Sequence, residues 1–241
     1  VDKYDLSSAR LALSAAAPLS ETVAQAFMGR LGIPLFQAYG MTEVSGATHL
    51  GATTPDKLKP HSAGRVLPNT ECKVVDLPTG NLMGPGEQGE IWVRGPLIMR
   101  GYLGRPDATR ATIDEEGWLR TGDIGYADED GDFFIVDRSK ELIKFKGLQI
   151  APAELEAVLL AHPAIADAAV IPLRDEEAGE VPKAYVVRKG DVTAEEVQAF
   201  VAARVAPHKK IRQVEFVDAI PKSASGKILR RVLIEQERAK E

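Results

Sequence analysis

Two short apolar runs separated by one helical stretch constrain the start of this chain more than any other feature. RLALSAAAP, residues 10–18, reads as a short buried strand running into a proline, and IPLFQAYG, residues 33–40, reads as a second. Between them Ser20 stands where a helix N-cap belongs. Val23, Ala26, Phe27 and Leu31 recur at helical spacing, and Gly32 stands at the stop. Strand, helix and strand of these lengths make a βαβ unit with its strands parallel. Parallel sheets are covered on both faces, which two strands and one helix cannot achieve. The expectation is therefore that further strands of this sheet lie upstream of Val1, and that the chain, which opens without an initiator Met, is part of a longer polypeptide.

From about Lys59 the pattern changes. ECKVVD (71–76), GEIWVRG (89–95), GYLG (101–104) and DFFIVD (132–137) read as short strands, joined by turns such as LPTGN and the Asp128 to Gly131 stretch. An antiparallel, barrel-like β unit over 59–137 fits these spacings. A charged link follows at 138–140, and RSKELIKFKGLQI (138–150) reads as leading into a hairpin. Pro152 then opens a helix with Leu155, Val158 and Leu159 inside and Pro163 as its stop. AAVIPL and KAYVVRK read as strands. Thr193 and Glu196 make a T-x-x-E capping box for a helix burying Val197, Phe200 and Val201. After the strand QVEFV, the chain ends in a short helix expected to turn Ile228, Leu229, Val232 and Leu233 inward. The fold class is thus α/β at the start (1–58), antiparallel β to 137, and a separate α+β domain over 141–241.

Composition narrows the function classes. No run approaches the roughly 20 apolar residues needed to cross a bilayer, and the start VDKYDLSSAR lacks the basic and apolar regions of a secretory signal, so a cytoplasmic setting is expected. A single cysteine, Cys72, excludes internal disulfides and a cysteine-clustered zinc site. The net charge of −5 is unevenly divided. Residues 1–137 hold 12 basic against 19 acidic side chains, residues 138–241 hold 18 against 16. This balance argues against bulk nucleic-acid binding, so an anionic ligand must be met locally. His49, His61, His162 and His208 show no i, i+4 pair and offer no histidine metal site.

Four strings carry the chemistry: QAYGMTE (37–43), GWLRTGD (117–123), DRSKELIKFKGLQIAPAELE (137–156) and PKSASGKILRR (221–231). In this order they resemble the C-terminal part of the adenylate-forming ligases, most closely the coumarate-CoA and acyl-CoA ligases and their luciferase relatives. The resemblance covers nearly the whole chain. It implies joining of a carboxylic acid to ATP, giving acyl-AMP and pyrophosphate, followed by rotation of a mobile C-terminal domain that lets the thiol of coenzyme A attack. ATP/AMP, Mg2+ and coenzyme A are the implied cofactors, with the upstream part of the same enzyme as partner.

By the same resemblance, Asp123 binds the ribose, its two carboxylate oxygens suiting vicinal hydroxyls. Tyr39, with Gly40 beside it, lies against adenine, and Thr42 hydrogen-bonds the phosphoryl group. Glu43 is the implied Mg2+ ligand. Ala16, Ala17 and Pro18 wall the adenine pocket, with Ala15 where relatives commonly have Gly. Lys227 is the mobile lysine of adenylation, a compact ammonium fit to sit between carboxylate and α-phosphate. It is not a Walker lysine, since Ile228 occupies the Ser or Thr position. Lys144, Gly147 and Gln149 match the KxxGxQ stretch that serves thioester formation, Arg138 resembles the ribose-contacting arginine, and Lys140 occupies the hinge. His208, Lys209, Lys210 and Arg212 read either as a contact for the 3′-phosphate of coenzyme A or as a solvated face.

The family's Ser/Thr/Gly-rich phosphate loop is not among these 241 residues, so the chain on its own is expected not to complete adenylation. Two other readings stay open on sequence: a non-catalytic piece binding nucleotide, coenzyme A or a protein, and a ligase whose acceptor is a carrier-protein thiol. An aryl-propenoate and a medium or long fatty acid both suit the small residues of VSGATHL after Glu43.

Overall fold

In the computed structural model, which describes residues 3–17, 19–224 and 226–240, the opening segment forms the expected βαβ unit. Strand β1 (Ala12–Ser14) pairs in parallel with β2 (Leu35–Met41) through helix α1 (Glu21–Leu31). The Ser20 hydroxyl accepts a hydrogen bond from the Val23 amide, satisfying one of the helix's orphan donors, and Gly32 ends the helix at φ +67°. The inward row is narrower than its spacing predicts. Only Ala24 is fully buried, Phe27 and Leu31 are half-buried, and Val23 and Ala26 face outward. The sheet under α1 is small, because β1 has three residues and no neighbour beyond it among the described residues.

On its other side β2 pairs antiparallel with β3 (Gly46–Leu50), and β3 with β4 (Arg65–Val66). The first sheet therefore takes its last strand from beyond Lys59, where the sequence pattern changes. A second sheet follows in the order β5 (Glu71–Val75), β6 (Gly89–Arg94), β7 (Leu119–Ala127) and β8 (Phe133–Arg138). It is open, with β5 and β8 as its edges. Ile91, Val93, Leu119 and Phe133 from this sheet pack with Val44 in one core.

GYLG is not a strand. Residues 101–104 form a turn into a helix that the sequence reading lacks, α2 (Pro106–Thr112), and the Tyr102 amide donates to Thr109 Oγ1 at 2.9 Å. Tyr and Leu favour strands, but Pro106 at the first helical position pre-sets the helix.

The chain separates into Val1–Val136 and Asp137–Glu241. In the second unit, β9 (Ile143–Phe145) and β10 (Leu148–Ile150) make the expected hairpin. Helix α3 (Pro152–Leu160) leads to the long antiparallel pair β11 (Ile165–Asp175) and β12 (Gly179–Arg188). Helix α4 (Ala194–Ala202) opens with the full Thr193–Glu196 capping box, β13 (Gln213–Phe216) pairs parallel with β12, and α5 (Arg230–Arg238) ends the chain's described elements.

Strands β11 and β12 are covered on both faces, which explains their near-continuous apolar runs. Ala168, Val170, Ala184 and Val186 face a core shared with Leu155, Leu159, Val197 and Val201. Ala169, Ile171 and Tyr185 face the opposite way, toward Ile220 and Leu233. On α5 the inward set is shifted by the helix starting at Arg230. Leu233 is buried, Ile228 and Ile234 pack beside it, and Leu229 is exposed rather than inward. Among the described residues no helix is long and apolar enough to cross a membrane.

Candidate active site

Within the first unit, two of the four strings meet. The Tyr39 hydroxyl, on β2, donates a 2.6 Å hydrogen bond to Asp123 Oδ2 on β7, 84 residues away. Burial, with the carboxylate beside it, pushes the Tyr39 phenol far above its ordinary range, so it stays a donor across the working pH. Asp123 itself is held by a bulge. Between the pairs Glu90–Ile124 and Trp92–Arg120, the register of β6 on β7 shifts at Thr121 to Asp123. Gly122 takes φ +74°, and its amide donates to Glu90 Oε1 at 2.9 Å. Thr121 donates to the Ile91 carbonyl and accepts from the Asp123 amide. The Gly before Asp123 is thus required by the positive φ of the bulge.

Tyr39 also packs on the fully buried ring of His49, centroids 5.5 Å apart, and His49 packs on Phe133 at 4.5 Å. Gly40 has a different reason for being Gly. A Cβ there would lie 1.9 Å from the Gly46 carbonyl oxygen on β3, so the close approach of the two strands requires it.

Beyond β2, Thr42–Val44 form a single 3-10 turn that presents Thr42 to solvent and leaves Glu43 half-buried. The Glu43 backbone carbonyl accepts from the Met99 amide, and its Oε1 accepts from the Tyr102 hydroxyl at 2.8 Å. Its remaining oxygen and the Thr42 hydroxyl are hard donors of the kind Mg2+ takes, and the donor set fits that ion. Ala16 and Ala17 are exposed, Ala16 at φ +76°, while Pro18 lies outside the described residues. The segment is tied to β2 by Gln37, whose amide bonds both the N–H and C=O of Leu19 and the Pro60 carbonyl. Gln37, Tyr102 and Glu90 are site residues the sequence reading did not single out. Gln37 and Tyr102 sat inside noticed strings, but their partners lie 18 and 59 residues away.

In the second unit, Lys144 and Gln149 are directly paired across the β9–β10 hairpin, so both lie on one face, and both are exposed. Lys146 at φ +46° and Gly147 at φ +82° form its two-residue turn, the geometry of a type I′ hairpin, which is what Gly147 serves. The Lys144 amide donates to Glu180. Lys227 sits on a small hairpin: Ser223 N–H donates to the Lys227 carbonyl, and the Lys227 amide to Ser223 Oγ. Arg138, Lys140 and Lys227 line one cleft of about 640 Å3. From the basic stretch 208–212, Lys209 is taken up by both oxygens of Glu154 and Arg212 lies over the Phe145 ring. Burial pushes the Cys72 thiol up to about 12, which disfavours the thiolate.

Known proteins resemble this chain in sequence and in fold. Residues 1–103 match the family described as AMP-binding enzyme, and residues 154–227 the AMP-binding enzyme C-terminal domain. 4-Coumarate–CoA ligase 2 of Oryza sativa subsp. japonica is 54% identical over 239 residues, covering 97% of this chain and 42% of the relative. Peroxisomal OPC-8:0-CoA ligase 1 of Arabidopsis thaliana is 50% identical, over 96% of this chain and 43% of its own length. Among solved structures, o-succinylbenzoate CoA synthetase from Bacillus subtilis, in complex with the acyl-adenylate intermediate, superimposes with a TM-score of 0.84. It is 37% identical, with 93% of this chain and 46% of that one covered. The chain thus spans less than half the length of the relatives it matches. On family match, on identity along almost its full length and on fold, this chain belongs to the AMP-binding, adenylate-forming enzymes.

Proposed function

We propose that this chain carries the nucleotide-binding edge and the mobile domain of an ATP-dependent carboxylate–CoA ligase. In the first half-reaction a carboxylate oxygen attacks the α-phosphorus of ATP and pyrophosphate leaves. In the second, the thiol of coenzyme A attacks the acyl carbonyl, AMP leaves and the thiol proton passes to solvent. The observation that carries the reading is the Tyr39–Asp123 hydrogen bond, which brings two separate strings of the family's nucleotide site together.

In this assignment Asp123 accepts from the ribose hydroxyls while Tyr39 fixes the carboxylate's orientation and offers its ring to adenine. Ala16 and Ala17 leave room for the flat base, and Arg138 adds a cationic contact to the ribose. Thr42 donates to the phosphoryl group. Glu43, oriented by Tyr102, would hold Mg2+, which when bound offsets the charge of the triphosphate. The Lys227 ammonium stabilises the negative charge that grows as carboxylate and phosphate approach. Lys140 is the hinge. Lys144, Gly147 and Gln149 serve the thioester half-reaction from the β9–β10 hairpin.

Isothermal titration of the chain with AMP tests the reading. One site is expected, with affinity lost by about tenfold or more in Asp123→Ala, since a hydrogen bond to a charged group is worth about 1.5–3 kcal/mol. Binding that Asp123→Ala leaves untouched would sink the assignment.

A further inference from the structure

Glu141, Glu156 and Arg230 are charged residues of the recognised strings that have no role in the reaction as assigned. They come from two separate strings, 137–156 and 221–231, and converge in one cluster in the second unit. Arg230 opens α5 and is 12% exposed. Its Nη2 donates to both oxygens of Glu156 on α3, at 2.8 and 2.7 Å, its Nη1 to Glu141, and its Nε to the Val170 carbonyl at 3.2 Å. All three guanidinium nitrogens are thereby engaged. Glu156 accepts in turn from the Val170 amide, which locks its carboxylate against β11. Burial pushes the Glu156 carboxyl up to about 7 against the pull of Arg230.

The cluster reaches both ends of the assigned machinery. Glu141 follows Lys140, and its other oxygen lies 4.0 Å from Arg138. Asp137, one residue earlier, accepts from the amides of Arg138 and Ala153, tying the start of the link to the first turn of α3. On the other side, Leu229 N–H donates to the Pro221 carbonyl and Lys222 bridges Ile228, so the second arm of the Lys227 hairpin runs straight into Arg230. Arg138, Lys140, Glu141, Lys227 and Arg230 all line the same cleft.

We propose that Arg230 is a positioning residue: through Glu156 and Glu141 it clamps the Lys227 hairpin to the residue that follows the Lys140 hinge, so that the hairpin and the far side of the hinge move as one body. The inference rests on the reading of Lys140 as hinge and Lys227 as adenylation lysine, and extends it. The clamp is separable from the attachment of α5 itself. The far half of that helix is held independently, by Leu233 in the core and by Glu237 accepting from Lys183 and Tyr185, both at 2.6 Å.

Hydrogen exchange on the full chain tests the clamp without requiring catalysis. In Glu141→Gln, which keeps the shape and removes one charged arm, amide exchange at 138–142 and at 222–229 is expected to rise together, by about tenfold, while α4 is unchanged. Arg230→Lys, which cannot hold both carboxylates in fork geometry, should raise both segments further. A rise at 138–142 alone, or at neither segment, overturns the proposal. The second measurement separates positioning from mere stability. In the full-length ligase that carries the phosphate loop, Glu141→Gln is expected to slow adenylate formation at saturating ATP by about tenfold, and to leave thioester formation from supplied acyl-adenylate near wild type. Equal losses in both half-reactions would overturn it as well. Should the full-length wild-type ligase form no adenylate, the proposed activity fails, and the exchange measurement on this chain still decides the clamp.

Discussion

His49 makes the first unit acid-sensitive in a way that can be worked out before any assay. Its ring has no solvent exposure, sits between Tyr39 and Phe133, and finds only the Thr48 hydroxyl at Nδ1, 3.0 Å away. Nε2 is buried without a hydrogen-bond partner among the described residues. Burial without a counter-charge disfavours the imidazolium and pulls the His49 pKa down from 6.5 to about 4. The unfolded chain takes up the proton as pH falls below 6.5, whereas the folded chain does so only near 4. Stability is therefore complete above pH 6.5 and is lost progressively as pH falls through 4. From this shift the loss is about 2 kcal/mol at pH 5 and about 3 kcal/mol in full.

The sequence supplies the assay. Both tryptophans, Trp92 and Trp118, belong to the first unit, so tryptophan fluorescence during urea unfolding reports on the unit that contains His49. Wild type and His49→Phe should be compared from pH 7.5 to about 4.5. Phe keeps an aromatic ring between Tyr39 and Phe133 and cannot titrate. The variant is expected to lose about 2 kcal/mol of the wild-type difference between pH 7.5 and 5. Carboxylates of the first unit contribute to both slopes and cancel in the comparison. Parallel stability curves would refute the reasoning, since they would mean that His49 is solvated or partnered in the folded state.

Three other outcomes follow from the candidate site. Tyr39→Phe keeps the ring and removes only the bond to Asp123, so AMP affinity should fall by about tenfold; 2′,3′-dideoxy-AMP, which lacks the ribose hydroxyls, should lose much less, and equal losses would refute the division of roles. In the full-length ligase, Lys227→Ala should suppress adenylate formation and spare thioester formation from supplied acyl-adenylate, with Lys144→Ala doing the reverse; half-reaction rates that fall equally in both variants would end the two-face mechanism. Gly40→Ala places a Cβ 1.9 Å from the Gly46 oxygen, and urea unfolding should register a loss of about 3 kcal/mol or more, because backbone rather than a flexible side chain has to move.

What was readable in the sequence divides by the range of the interaction. Ser20 and the Thr193–Glu196 box were legible because a cap is made with residues three positions away. Strands β11 and β12 were legible as strands because burial on both faces gives near-continuous apolar runs, but that each face meets a core of its own was not. GYLG misled because its side chains favour strands while the outcome was set by Pro106. For the site, the strings named Tyr39, Asp123, Arg138 and Lys227. They gave no sign that Tyr39 holds Asp123, that Gln37 ties down the segment after Ala17, or that Arg230 joins Glu141 to Glu156, because each of these contacts closes a long loop.

The glycines of the strings show why motif and chemistry are easily confused. A glycine in such a string invites a reading as room for a ligand, but Gly122 and Gly147 each take a positive φ that a bulge or a type I′ turn demands. Their substitution would act first through the backbone that carries Asp123, or through the hairpin that carries Lys144 and Gln149, and only then through the ligand. Gly40 is the opposite case, excluded from bearing a side chain by the neighbouring strand. A motif of this kind therefore specifies a local backbone shape together with one or two reactive side chains. Loss of activity in a glycine variant of this chain accordingly says little about ligand contact until the hydrogen bond from Tyr39 to Asp123, or the pairing of Lys144 with Gln149, has been shown to survive the change.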